Sequence, residues 1–486
     1  MNPNAINFKM VFRTIGMALM IEGGFMLTAL PFSFYFHGGD YKAIILSSLI
    51  TLIAGFLPYV FTLKNPDKHV GKREGYLVVT CTWIAMSIFG SLPYLISGAI
   101  PNFTDAFFET MSGFSTTGAS ILTDVEVVPK GLLFWRSMTH WIGGMGIIVL
   151  SVAILPFLGA GGVQLFSAES SGPMKDKLHP RIRETAKKLW GIYFLLTLAE
   201  ILLLLAGGMP LFDSMCHSFG TLATGGFSTK NISIMGYSPY IQYVVTIFMI
   251  LASINFTLHF YALKGDFKKF WKDDELRMFL LIILASGLFI GLTLFIQNAY
   301  DLEHSMRAGF FQVASIISCT GFASEDFILW PTQLWLVLLF LMLIGGCAGS
   351  TTGSVKVMRY LMLLRMGGRE FKKIFHPNAV FVVRYNQRPV AEEILTKIVA
   401  FFFIYLLTFA TGILLLCING IDLISSAGAV ATTMGGIGPG LGVFGPMSNF
   451  SAAPDFTKWV LSSCMLLGRL ELFSVLIILT PSFWKK

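Results

Sequence analysis

Apolar residues in this chain run in long blocks instead of alternating with polar ones. Ten blocks carry few charges each: 11–36, 41–63, 76–100, 132–158, 189–207, 240–263, 278–297, 334–364, 394–418 and 459–479. About 20 apolar residues in a helix cross a hydrocarbon layer, so each block predicts a spanning helix. An even number of crossings puts both chain ends on one side. Charge gives the side. Lys64, Lys68, Lys72 and Arg73 follow the second block, and Lys175, Lys177, Arg181, Arg183, Lys187 and Lys188 follow the fourth. Lys264, Lys268, Lys269, Lys272 and Arg277 follow the sixth; Arg365, Arg369, Lys372, Lys373, Arg384, Arg388 and Lys397 follow the eighth. The opposite loops offer little beyond Lys42, Lys130, Lys230 and Lys458. Basic loops stay on the cytoplasmic side, which places both termini there.

Four further stretches, 103–120, 211–228, 305–323 and 421–440, are half apolar and too short to cross. Each lies on the non-cytoplasmic side between two spans and ends in a glycine-bearing turn. They read DAFFETMSGFSTTGAS, DSMCHSFGTLATGGFS, RAGFFQVASIISCTGFAS and DLISSAGAVATTMGGIGPG, and they align on Gly118, Gly225, Gly321 and Gly435. Thr116 and Thr117, Ala223 and Thr224, Cys319 and Thr320, and Thr433 and Met434 precede those glycines. The same unit of helix, short helix, turn and helix recurs roughly every 100 residues, as in a repeat array. The fold class is therefore an all-α membrane protein: an N-terminal helix pair (1–70) and four pore repeats at 71–160, 161–264, 265–366 and 367–486, surrounding a central pore.

A pore for a dehydrated alkali cation needs this arrangement, because rings of backbone carbonyls must replace the ion's water shell. Irregular backbone at membrane depth is tolerated only inside protein or along water. Glycine at the turn allows positive φ, so successive carbonyls can share one axis. Asp105, Asp213 and Asp422 stand where they would cap the short helices, whose partly negative far ends would then favour a cation. Small residues in membrane helices also serve close packing, and any single loop reads as well that way. Four in the same topological slot favour the filter.

Composition removes other classes. Of 486 residues, 55% are hydrophobic and 13% charged, against about 25% charged in soluble domains. The net charge of +8 sits in short loops between apolar blocks, so nucleic acid is not the expected partner. Cys81, Cys216, Cys319, Cys347, Cys417 and Cys464 are scattered without paired spacing, which predicts small packing residues instead of a disulfide framework or zinc site. His140, His217 and His259 lack metal-ligand spacing and read as core histidines. Trp135, Trp330 and Trp459 stand at span ends, as an interfacial belt requires. There is no Walker A sequence, and the glycines of 436–441 follow no strand–helix unit and include Pro439. An enzyme is not expected, nor any cofactor.

Two features lie beyond the loops. Gly345, Gly346, Gly349 and Gly353, with Ser350, Thr351, Thr352 and Ser354, interrupt the eighth block and predict unwinding at mid-membrane. Lys356 is expected to snorkel to the cytoplasmic interface. Arg469 falls inside the last block, where an ionised side chain is costly and faces a cavity or a partner. The alternatives are a pore-lining role and a buried ion pair with Glu109 or Glu200.

The fourfold array, together with GGCAGSTTGSVKVMR (345–359) and MLLGRLELFSVLIIL (465–479), resembles the Trk/Ktr/HKT superfamily of potassium transporters at its bacterial TrkH-type branch, over nearly the whole chain. The resemblance implies a single chain folded like a tetrameric potassium channel, with potassium bound at the four glycine loops. It also implies an intramembrane gating loop at 345–353, with Arg469 as an electrostatic barrier below the filter. It further implies a homodimer in the bacterial inner membrane, docked on a cytosolic nucleotide-binding regulatory subunit. Glycine in all four loops resembles the potassium-preferring pattern. Met434, where the family has threonine, and Ala308, where an acid would align, are departures that predict some sodium passage. A cation-coupled symporter is the competing reading. It requires ionisable residues inside the spans, where Arg469 stands nearly alone.

Overall fold

Helix length sorts this molecule into segments that cross the bilayer and segments that stop halfway. The computed structural model describes residues 6–62, 71–153, 178–298 and 301–485. Six helices are long and apolar enough to cross a membrane, and two sharply bent pairs bring the number to eight. The other two expected crossings are Lys130–Ala153 and a broken one, Thr332–Ile344 followed by Val357–Phe375. Residues 154–158, Lys64, Lys68, Lys175, Lys177, the side chains of Arg181 and Arg183, and the expected boundary at 160 lie outside the described residues.

The N-terminal pair, Phe8–Met26 extended by Leu30–Tyr35 and then Tyr41–Thr62, packs antiparallel through small residues. A methyl group on Gly16 would lie 2.5 Å from the Gly55 carbonyl oxygen, and one on Gly55 would lie 2.6 Å from that of Gly16. Ser48 donates to the Gly23 carbonyl at 2.7 Å about two turns away. Bare backbones meet here because lipid gives helices no hydrophobic reason to associate.

The helix, short helix, turn and helix unit then recurs four times. The short helices are Phe103–Phe114, Leu211–Leu222, Leu302–Ile317 and Leu423–Gly435, largely buried in protein. Their starts differ from expectation. Asp422 does cap its helix, accepting from the Ser425 N–H at 3.0 Å. Asn102 caps the first helix instead of Asp105, which pairs with Lys458 at 2.6 Å. Asp213 lies in the first turn and accepts from Thr229 at 2.6 Å. The third helix begins earlier than expected, at Leu302, so the site of Ala308 is mid-helix; Asp301 holds the N-cap position without a side-chain cap bond.

Among the described residues, the second long helix is interrupted in three repeats. Pro239–Ser253 turns by 103° into Phe256–Leu263, and Asp455–Arg469 turns by 109° into Phe473–Leu479. The third opens into the loop 345–356. Only that one was signalled by glycines. At the first bend the Asn255 side chain accepts from the Thr257 N–H at 2.8 Å and starts a new helix. At the second, Glu471 and Leu472 take φ of 56° and 43°.

Two tryptophans depart from the belt reading. Trp135 is buried and donates to the Gly90 carbonyl at 3.0 Å, and Trp330 is buried and donates to Glu325 at 3.0 Å. Only Trp459 of the three is partly exposed. The membrane-embedded part is also richer in ionisable groups than the sequence suggested: Glu22, Glu109, Arg136, Glu200, Glu275, Arg359 and Glu471 are all buried.

Glu109 on the first short helix pairs with Arg136 at 2.6 Å. The same carboxylate accepts from Ser120 at 3.0 Å and the Ile121 N–H at 2.9 Å, and Arg136 stacks over Phe227. Removing one member of a buried pair costs about 3–5 kcal/mol, whereas replacing both with apolar groups is often neutral. Glu109→Ala is therefore expected to lower the thermal midpoint in detergent clearly, and Glu109→Ala/Arg136→Met to recover most of it. Equal midpoints for the single and double variants would contradict this. Likewise Gly55→Val should cost about 1–3 kcal/mol by overpacking the N-terminal pair, read as a lowered midpoint with no change in ion selectivity.

Candidate functional site

The four short helices end in the same way. Thr116, Thr224, Cys319 and Gly436 take left-handed φ of 54°, 55°, 59° and 71°. The next N–H then reaches back five residues: Thr117 to Ser112, Gly225 to Gly220, Thr320 to Ser315 and Ile437 to Thr432, at 2.8, 2.8, 2.9 and 2.9 Å. This is a Schellman closure. One residue further on, Gly118, Gly226, Gly321 and Gly438 return to positive φ, 82°, 79°, 80° and 101°. A left-handed residue other than glycine costs about 1–3 kcal/mol, so holding two threonines and a cysteine there demands support from the surroundings.

Those four glycines close a ring. A methyl group on Gly118 would sit 2.0 Å from the Gly225 carbonyl oxygen, one on Gly226 1.9 Å from that of Thr320, one on Gly321 1.6 Å from that of Ile437, and one on Gly438 2.9 Å from that of Thr117. Each turn thus leans on the next, and the fourth returns to the first. Side chains brace the segments leaving the ring: His217 accepts from Ser228 at 2.9 Å, Ser315 donates to the Phe322 carbonyl at 2.5 Å, and Ser425 accepts from the Val443 N–H at 3.0 Å. The turns are also joined directly. Phe450 N–H donates to the Ser120 carbonyl at 2.8 Å, and Ile234 N–H to the Ala323 carbonyl at 3.1 Å.

The ring corrects the register read from sequence. Thr116, Thr117 and Gly118 stand level with Cys319, Thr320 and Gly321, as aligned. The second turn is Thr224, Gly225 and Gly226, one residue later than expected, and Ala223 is the helix cap. The fourth is Gly436, Ile437 and Gly438, three residues later. Thr433, Met434 and Gly435 belong to the short helix, and the Met434 carbonyl packs against Gly468. Met434 is therefore not a departure within the ring, and Ile437 occupies the place expected for it.

Beneath the ring lies the loop 345–356. Thr351 donates to the Leu222 carbonyl at 3.0 Å, and a methyl on Gly353 would sit 2.2 Å from the Gly435 carbonyl oxygen. The loop thus meets the last carbonyls of two short helices, the partly negative ends of their dipoles. Gly345 and Gly349 have positive φ, as do Ser354 and Lys356. The loop is a compact knot: Ser350 donates to Cys347, Ser354 donates to Met342, and Lys356 N–H donates to the Ile344 carbonyl. Lys356 is buried, contrary to the snorkelling expectation.

Arg469 ends its helix at the bend. Its guanidinium donates to the Thr351 carbonyl at 2.8 Å and the Gly143 carbonyl at 2.9 Å. Gly143 itself lies against the Phe114 carbonyl and the Thr116 side chain, so Arg469 bridges the first turn and the loop below. No carboxylate pairs with it among the described residues, and Glu109 is taken by Arg136. Sequence reading missed the partners that hold this layer. Glu275 accepts from the Ala348 N–H at 2.7 Å and the Met358 N–H at 3.0 Å, and Glu471 pairs with Arg359. Among the described residues no group of His, Cys, Asp and Glu could hold a metal ion. His217, His259 and His140 are all hydrogen-bonded core residues; His140 accepts from the Phe227 N–H at 3.4 Å, stacks on the Phe227 ring and lies against Gly225.

A family model described as "Cation transport protein" (TrkH) matches residues 41–486. The Trk system potassium uptake protein TrkH of Salmonella typhimurium is 41% identical over 99% of this chain and 100% of that protein, and its namesake in Vibrio parahaemolyticus is 40% identical over the same shares. The crystal structure of the potassium transporter TrkH from Vibrio parahaemolyticus superposes with a TM-score of 0.90 at 37% identity, covering 99% of this chain and all of that one. This multi-pass membrane protein belongs to the TrkH family of cation transport proteins.

Proposed function

We propose that this protein carries potassium into the cell through the ring of four turns, with the loop 345–356 as its gate. The single observation supporting the reading is ring closure: four backbone turns from four repeats lean on one another in cyclic order, each with its glycine against the next turn's carbonyl. Such a scaffold supplies oxygen dipoles at fixed spacing, which is what removing water from an alkali cation requires. Potassium is the cargo, and no cofactor takes part. The relatives are named as parts of a Trk potassium uptake system, which supports the same cargo. The word system in those names supports work alongside other components. That these are a cytosolic nucleotide-binding regulatory subunit and a second copy of the chain, as a homodimer in the inner membrane, is part of the proposal. So is the cytoplasmic side of both termini, which rests on the basic loops. Repeats at 71–160, 161–264, 265–366 and 367–486 each contribute one turn.

Arg469 sets a positive charge directly below the ring, held by carbonyls and not by a carboxylate. That charge opposes a cation passing downward, and withdrawing it together with Thr351 opens the way. A cation-coupled symport is the second reading. Glu22 favours it, as a buried carboxylate with no hydrogen-bond partner in the described residues.

Rubidium uptake into proteoliposomes separates the readings. Uptake is expected down the rubidium gradient alone. Strict dependence on a proton or sodium gradient, abolished by Glu22→Gln, would replace passage with symport. Gly438→Ala is expected to lower potassium-over-sodium selectivity about tenfold, equivalent to about 1.4 kcal/mol, while Met434→Thr leaves it unchanged. The reverse ranking would restore the register read from sequence. Arg469→Ala should raise uptake about tenfold on the same scale, with Arg469→Lys between it and the parent.

A further inference from the structure

A cavity of about 690 Å³ lies away from the ring, among the loops that carry the basic bias. Its walls are the helix Phe256–Leu263, the short helix Phe267–Lys272 and the hairpin formed by Arg384–Tyr385 and Arg388–Pro389. Lys268, Lys269, Lys272 and Arg388 line it, against two carboxylates, Asp266 and Asp273. Both carboxylates have intramolecular duties. Asp266 pairs with Lys269 at 3.0 Å and caps the short helix. Asp273 accepts from Asn386 at 2.8 Å and from the Leu276 N–H at 2.9 Å. The surplus is positive, in a concavity of small-ligand size, and a cleft lined by one sign of charge concentrates the opposite ion.

The cavity also touches the loop 345–356 by two routes. Tyr385, on its wall, has its hydroxyl 3.4 Å from Glu275 Oε2, and the other oxygen of that carboxylate holds the Ala348 and Met358 N–H groups. Asn255, also on the wall, packs against Gly349, whose carbonyl accepts from the Phe256 N–H at 3.1 Å. The hairpin is anchored on the far side, where the Asn386 N–H donates to Asp274 at 3.0 Å and Arg365 donates to the same carboxylate at 2.9 Å. A ligand drawing the lysine helix toward the hairpin therefore presses on groups that hold the loop.

We propose that this cavity binds a phosphate-bearing anion and that occupancy biases the loop 345–356. With Lys269 held by Asp266, Lys268, Lys272 and Arg388 suit a multiply charged phosphate, which arginine grips bidentately. The phosphate belongs either to a free metabolite or to an anionic lipid headgroup. The second half of the proposal rests on the loop being the gate.

The test uses the full-length protein in nanodiscs of neutral phosphatidylcholine, titrated with pyrophosphate, and in parallel discs containing phosphatidylglycerol. Saturable binding that falls about tenfold in Lys268→Gln/Lys272→Gln/Arg388→Gln, survives in Lys268→Arg/Lys272→Arg and is unchanged in Lys372→Gln/Lys373→Gln supports the site. Which probe follows that ranking identifies the source. Equal binding by all variants, or none with either probe, overturns it. Coupling is read from rubidium flux with and without the bound probe. A change of about fivefold that is lost in Tyr385→Phe, which still binds, supports the link. Flux indifferent to a bound probe overturns the link and leaves the ring, tested separately by Gly438→Ala, as it was.

Discussion

Backbone that leaves a helix inside a membrane must find a partner for every polar group or line water. This constraint organises the whole molecule. Each short helix halts at mid-depth, and its last turn is closed by an N–H reaching back five residues. The carbonyls beyond that closure have no helix to enter, so they meet the neighbouring turn, where only glycine leaves space. The long helices, the buried ion pair of Glu109 and Arg136 and the hydroxyl braces serve to hold those turns in place. The broken helices follow the same rule. Their freed groups are taken up by Glu275, Asn255 and Arg469, or within the loop itself.

Much of this was legible in the chain. The block pattern marked the six long apolar helices and the two bent pairs among the described residues, and the four glycine-bearing stretches marked the repeat. The register of the fourth turn was not legible, for a specific reason. Thr433-Met434-Gly435 imitates Thr116-Thr117-Gly118, and a shift of three residues is close to one helical turn, so the small and polar face looks the same. What decides the true end is where the reach-back bond forms, at Ile437 to Thr432. In the second turn the doublet Gly225-Gly226 offered two candidates, and only the sign of φ at Gly226 separates them.

The buried charges were hidden differently. Arg359 and Glu471 are 112 positions apart, and Arg136 and Glu109 are separated by a whole turn and its descending segment. Pattern reading sees spacing along one helix and cannot see pairs made between repeats. It likewise expected breaks at glycine and proline, and so passed over the bend at Asn255, a polar residue that breaks a helix by starting another. Arg469 was found because its cost is local. Its partners are carbonyls, which no sequence motif announces.

Cyclic leaning also bears on how the protein is made. Gly438 rests on Thr117, residues from opposite ends of the fourfold array. During synthesis the first three turns can settle against one another, but the circle stays open until the last repeat has entered the bilayer. Up to that moment the Thr117 carbonyl lacks its neighbour, and the half-built assembly is expected to be vulnerable to proteolysis. Completion by the last repeat is thus a natural quality checkpoint, at which a truncated chain would betray itself.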